Sequence, residues 1–356
     1  MAEPYLGRKL ASFVRLPEDR EEAGLAQFAP GRDGHRDQML RHGVMISPAV
    51  TPVLEESIAA VCERLGIHRH QVTAFAYSSP EINADCLIDG PNSCVLRFTS
   101  SLINLLDQEE FRFVVGHELG HFLLDHRAGC KSGSDGSSER FIMERARELS
   151  ADRLGYLGTD SLECSIRAIM KTASGLGGEH IRFDVSSFVA QGKLLTNAAL
   201  GEGKTATHPS MLVRSRALLW FSMEIRSIED IDGSRSGDVQ RVDDRVLRDL
   251  EKFVDGHVRL AKQDMLESIA VWKSASLIYE AGGFKKAVQT KFAADLGDER
   301  LESLKSFFTL YPKDALSEEI AKRLQDALDQ AYHEFPSSAQ QLEKDGFTRA
   351  YSIVRG

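Results

Sequence analysis

A chain of 356 residues is long enough for two ordinary domains, and 42 % hydrophobic with 27 % charged residues is globular usage, which excludes wholesale disorder. The net charge of −9 disfavours a nucleic-acid partner, which calls for a basic surplus on one face, so none is expected. No stretch reaches the ~18 apolar residues of a membrane span, and the N-terminus lacks the apolar run of a secretory signal; a cytoplasmic address without a transmembrane segment is the expectation.

In chain order, residues 1–44 are polar and turn-rich and read as an extension wrapped loosely over the body. From Pro52, apolar Leu54, Ile58, Val61 and Leu65 recur at helical spacing, and Gly66 is a stop. Residues 72–79 and 94–99 read as strands, joined by a polar connection that ends in the turn cluster Asp89-Gly90-Pro91-Asn92-Ser93. A helix is predicted over about 108–126, with Asp107 as N-cap and Glu110 at the capping-box position. The Gly/Ser-rich stretch 127–138 follows, then a second helix over 138–157. Residues 224–240 are polar, and the domain boundary is expected there. The remainder reads as all-helical, with breaks near Gly282-Gly283, Gly297, Pro312 and Pro336. The five cysteines (Cys62, Cys86, Cys94, Cys130, Cys164) are odd in number and match no CxxC spacing, the pattern of free thiols in a reducing compartment; Cys86 and Cys94 are the pair that oxidation would join.

The sharpest feature is His117-Glu118-Leu119-Gly120-His121, an HExxH motif inside the capped helix. Residues four apart share a helix face, so both imidazoles reach one metal ion while the glutamate sits beside the open coordination position. Zinc suits imidazole nitrogen, and it lowers the pKa of a bound water towards ~7 so that a glutamate can take the proton. The surrounding FRFVVGHELGHFLL is apolar on nearly all faces, so the helix is expected to be buried, where unpartnered histidines are costly. Gly116 and Gly120 leave room for a neighbouring backbone. Two histidines leave zinc a protein ligand short. Glu144, Glu148 and Asp152 follow at i+4 spacing on one face of the second helix, and each is a candidate. His68-Arg69-His70 reads as a solvated turn, and His126, five residues past His121, falls off the metal face. GEGKT at 201–205 lacks the leading glycine spacing of a phosphate loop.

HELGH followed by Arg147-Glu148-Leu149-Ser150-Ala151-Asp152-Arg153 resembles the HtpX and CAAX prenyl endopeptidase type of gluzincin metallopeptidase, especially its soluble minigluzincin relatives. Thr207-His208-Pro209-Ser210 with Arg214 resembles that family's HP…R segment, and Ile82-Asn83-Ala84 its edge-strand Asn-Ala. The resemblance spans about residues 45–225. It implies one Zn²⁺ per chain, bound by His117, His121 and Glu148, with Glu118 as general base. Asp152 would hold a ligand histidine from behind. His208 and Arg214 would stabilise the oxyanion of the tetrahedral intermediate. Asn83 would lie where substrate backbone docks as an added strand. The family's integral members carry transmembrane helices that this sequence lacks, so processing of membrane or prenylated substrates is not implied.

The expected fold is α+β: a zincin-like domain with a small antiparallel sheet over the HExxH helix, then an all-helical domain. The expected boundaries are an N-terminal extension at 1–44, the peptidase domain at 45–225, a linker at 226–240 and helices at 241–356. The expected activity is that of a zinc metalloendopeptidase acting on protein or peptide. The competing expectation is a latent or regulatory zinc protein whose helical half binds a protein partner or a second copy. A purely structural metal site needs no Glu118, which favours the enzyme.

Overall fold

The computed structural model describes residues 14–16, 35–90, 92–126, 136–182, 184–191, 209–225, 236–253 and 256–356. The chain forms two compact units, one of residues 1–130 and 142–254, the other of 131–141 and 255–356.

The first unit begins, among described residues, with Val14–Leu16 and helix α1 (His35–His42). The expectation of a loose N-terminal wrap fails at the tripeptide. Val14 and Leu16 are fully buried, Leu16 N–H donates to Ser150 Oγ at 3.1 Å, and Arg153 donates to the Val14 carbonyl at 3.0 Å. Strand β1 (Val44–Met45) precedes α2 (Pro52–Leu65), which opens with Pro52 and stops at Gly66. There the left-handed φ of 68° favours glycine, the Gly66 N–H donates to the Glu63 carbonyl and the Ile67 N–H to that of Cys62. A short turn, Arg69–Gln71, carries the His68 and His70 rings and leads into β2 (Val72–Tyr77). Then come β3 (Ala84–Gly90), β4 (Ser93–Thr99), α3 (Ser100–Leu105) and α4 (Gln108–Leu123).

The sheet order is β1-β2-β4-β3. β1 pairs antiparallel with β2, and β3 antiparallel with β4, but β2 and β4 run parallel, from Val72↔Cys94 to Tyr77↔Thr99. The sheet is therefore mixed, a correction to the antiparallel expectation. Polarity decides it. β4 buries Cys94, Val95, Leu96 and Phe98 and takes the interior of the sheet. β3 carries Asp85 and Asp89 and takes the edge, where charges do no harm. That same polarity hid β3 inside the connection read as turn. Cys62, Cys86, Cys94 and Cys164 are free thiols, and Cys130 lies outside the described residues.

Helix α5 (Ser138–Thr159) supplies the second face of the site, followed by α6 (Leu162–Ser174), α7 (Val185–Ala190), α8 (Met211–Glu224) and α9 (Ser236–Phe253). Of the expected linker at 226–240, residues 226–235 lie outside the described set and 236–240 open α9. Val239, Val242, Val246 and Leu250 share one face of α9 and join the core around Leu119, Leu149 and Phe221. The two units divide at residues 254 and 255.

The described part of the second unit beyond α5 is built of helices: α10 (Gly256–Glu280), α11 (Lys286–Leu296), α12 (Asp298–Leu310), α13 (Lys313–Glu334) and α14 (Ala339–Arg355). Its own core includes Ala270, Ile278, Phe292, Leu304, Ile320 and Ile353. The helices break at Gly282 and Gly283, at Gly297 (φ 94°), at Pro312 and at Pro336, where Gly and Pro remove the helical option. Among the described residues no helix is long and apolar enough to cross a membrane.

Candidate metal centre

α4 is fixed at its start by a complete capping box. Glu110 N–H donates to Asp107 Oδ1 at 2.9 Å, and Asp107 N–H donates to Glu110 Oε2 at 2.8 Å. Glu110 is fully buried and also takes Lys171 Nζ at 2.6 Å and Arg167 at 2.8 Å. From that anchor the helix runs into the core, burying Phe113, Val115, His117, Glu118 and Leu119.

Small residues set how near α5 can come. A Cβ on Gly116 would meet the Gly155 Cα at 3.0 Å, and one on Gly120 would meet the Ala151 Cα at 3.0 Å. Two backbones thus touch through Gly116, Gly120, Ala151 and Gly155. That approach carries Glu148 and Asp152, one turn apart on α5, onto the two histidines.

The three metal-ligating groups converge tightly. His117 Nε2 and His121 Nε2 are 3.2 Å apart. Glu148 places Oε2 3.4 Å from the first and Oε1 3.5 Å from the second. Asp152 Oδ1 accepts from His117 Nδ1 at 3.0 Å, and a neutral His117 held this way carries its lone pair on Nε2. Lone-pair nitrogens and a carboxylate facing one another call for a cation. Ligand atoms about 2.0–2.2 Å from one tetrahedral zinc lie roughly 3.3–3.5 Å apart, so the set fits. His117, His121 and Glu148 can hold a metal ion between them.

Electrostatics follow from burial. Desolvation pushes the Glu118 carboxyl up to about 7; His117 and Arg214 pull it down, and Glu148 and Asp85 push it up. Desolvation also lowers His121, to about 3, against the pull of Glu148. For His117, burial opposes the charge but hydrogen bonds to Asp152 and Glu148 prevail and raise it to about 10. Glu148 and Asp152 resist the desolvation of their charged forms. His117 and His121 hold Glu148 below the usual carboxylate range, and Arg214 with His117 does the same for Asp152.

The remaining expected residues are placed as follows. Arg214, in the first turn of α8, gives Nε and a terminal nitrogen to the two oxygens of Asp152, at 2.8 and 2.6 Å. Those two donors are committed to Asp152. Asn83 is exposed just ahead of the edge strand β3, its backbone tied to Thr99 at 3.0 and 3.1 Å. His208 lies outside the described residues. Glu144 pairs with Arg147 at 3.2 Å and is not in the metal group. His126 is where the helical reading failed. The helix ends at Leu123, and His126 comes back to set Nδ1 2.9 Å from His121 Nδ1.

Residues 48–134 match the model of peptidase family M48, a span that takes in α2, strands β2 to β4 and the HExxH helix but stops before Glu148. The match supports a metallopeptidase acting on protein or peptide, and the His-His-Glu group supplies a plausible seat for the metal, usually zinc, that such enzymes use. No curated protein and no solved structure matches the chain.

Proposed function

We propose that this chain is a zinc-dependent endopeptidase of the HtpX and CAAX prenyl endopeptidase type, with no helix among its described residues long and apolar enough to cross a membrane. The observation that carries the reading is the convergence of His117, His121 and Glu148 within a few ångströms, with Glu118 buried one residue away. His117 Nε2, His121 Nε2 and a Glu148 oxygen would hold the metal. Bound there, zinc would polarise the scissile carbonyl and acidify the attacking water. Glu118 takes the proton of that water on its carboxylate and hands it to the leaving amine. Asp152 fixes the His117 ring through Nδ1–H, and Arg214 keeps Asp152 ionised and oriented. His208 is the candidate donor to the oxyanion. The exposed edge at Asn83 and β3 is the candidate seat for substrate backbone.

The deciding experiment measures bound metal together with cleavage of casein and of the chain itself, in wild type and Glu118→Gln. The variant is expected to keep its zinc and lose turnover by at least ~10²–10⁴-fold, the worth of a general base. Near-normal turnover overturns the assignment. A wild type that holds zinc and cleaves nothing overturns the peptidase in favour of a latent or regulatory zinc protein.

A further inference from the structure

The turn that ends the HExxH helix brings in a group that the proposed chemistry leaves unused. Leu124 keeps helical angles, but Asp125 takes a left-handed φ of 57°, a region most non-glycine residues avoid and Asp and Asn tolerate. On an unbroken helix, residue 126 would stand about 140° around the axis from His121. The reversal at Asp125 returns it. The His126 N–H donates to the His121 carbonyl at 2.8 Å, and the two rings meet at 5.1 Å between centroids and 61° between planes.

The nitrogens of His121 then have separate partners. Nε2 faces His117 and Glu148 at 3.2 and 3.5 Å, and Nδ1 faces His126 Nδ1 at 2.9 Å. Two imidazole nitrogens this close form a hydrogen bond only when one carries a proton and the other a lone pair. With Nε2 lent to a metal, the proton of His121 sits on Nδ1, and His126 Nδ1 accepts it.

From this geometry we infer that His126 is the positioning residue for the ligand His121, as Asp152 is for His117; the inference rests on the metal site proposed above. Metal-bound histidines donate their second N–H to an acceptor that fixes ring rotation and tautomer. Here the two ligands have different acceptors. His117 leans on a carboxylate tied to Arg214, and His121 leans on a neutral imidazole carried by the helix's own terminal turn.

The test strips the full chain of metal and titrates Zn²⁺ and Co²⁺ back against a chromophoric chelator, in wild type, His126→Leu and His126→Asn. His126→Leu is expected to weaken binding ~10–100-fold, the usual cost of losing such a partner, and to shift the visible absorption of the Co²⁺ form. His126→Asn, which keeps an acceptor oxygen, is expected to recover most of both. Unchanged affinity and spectrum in His126→Leu overturn the inference while the metal site stands. If wild type binds no metal, the site and the inference fall together. Should His126→Leu be unfolded without metal by circular dichroism, the Asn variant decides: near wild-type affinity supports the role, and a loss of ~10-fold or more overturns it.

Discussion

The two compact units treat charge in opposite ways. Among described residues the first buries Glu110, His117, Glu118, Arg145, Arg147, Glu148, Asp152, Arg153, Lys171 and Asp243. The second buries one charged side chain, Glu267, which pairs with Arg300 and Arg349; its Arg355 and Glu280 meet at 3.5 Å with more than half of each side chain exposed. Removing an ion from water costs several kcal/mol, so a fold selected for stability alone fills its core with apolar groups, as the second unit does. The first accepts that cost at the α4–α5 seam that holds His117, Glu118, Glu148 and Asp152, and again where Lys171 of α6 meets Glu110 of α4. A second buried pair, Arg153 with Asp243 at 2.7 Å, extends the charge behind the seam to α9.

The contrast is broken hardest at that pair. Arg153→Met removes the buried guanidinium 2.7 Å from Asp243 and is expected to cost about 3–5 kcal/mol in urea unfolding. Arg355→Ala in the second unit is the matched control, expected within about 0.5 kcal/mol. Comparable costs for the two would erase the distinction.

Metal retention sharpens the contrast within the seam. Glu148→Gln is expected to lose zinc by more than the ~10–100-fold expected of Asp152→Asn, which removes only a ligand's support. Glu144→Gln is expected to change little, since its partner is Arg147. Chelator competition ranks the three, and Glu144→Gln as the greatest loss would redraw the register of α5.

The close approach itself can be tested at Gly120. An alanine there brings Cβ to 3.0 Å from the Ala151 Cα, and overpacking of this kind costs about 1–3 kcal/mol, set against ~1 kcal/mol gained in helix propensity. Zinc affinity is expected to fall alongside stability, because parting the helices draws Glu148 away from the histidines. Wild-type affinity in Gly120→Ala would show that the spacing is not what builds the site.

On turnover alone, His208→Ala is expected to lower kcat ~10²–10³-fold with metal and stability unchanged, the signature of a lost oxyanion donor. Loss of zinc instead would make His208 a ligand.

What was legible in the sequence follows from periodicity. HELGH and RELSADR repeat at helical spacing, so the faces of α4 and α5 could be read before any coordinates, and the Asp107–Glu110 box marked the start of α4 to the residue. Strand β3 was illegible because an edge strand needs no alternating apolar face, and Asp85 and Asp89 made it look like turn. His126 was misread because a single φ of 57° undoes the helical wheel. Arg214 was read only as a donor to the oxyanion; its bidentate grip on Asp152 is a tertiary fact that no local spacing encodes.

Val14 to Leu16 add a consequence in time. Leu16 hydrogen-bonds Ser150, 134 residues downstream, and Val14 holds Arg153 beyond it. During synthesis at ~5–20 residues per second, the tripeptide leaves the ribosome roughly 7–27 seconds before its seat exists. Through that interval two core side chains stand in water, and the growing chain is open to chaperones and to its own neighbours on the polysome.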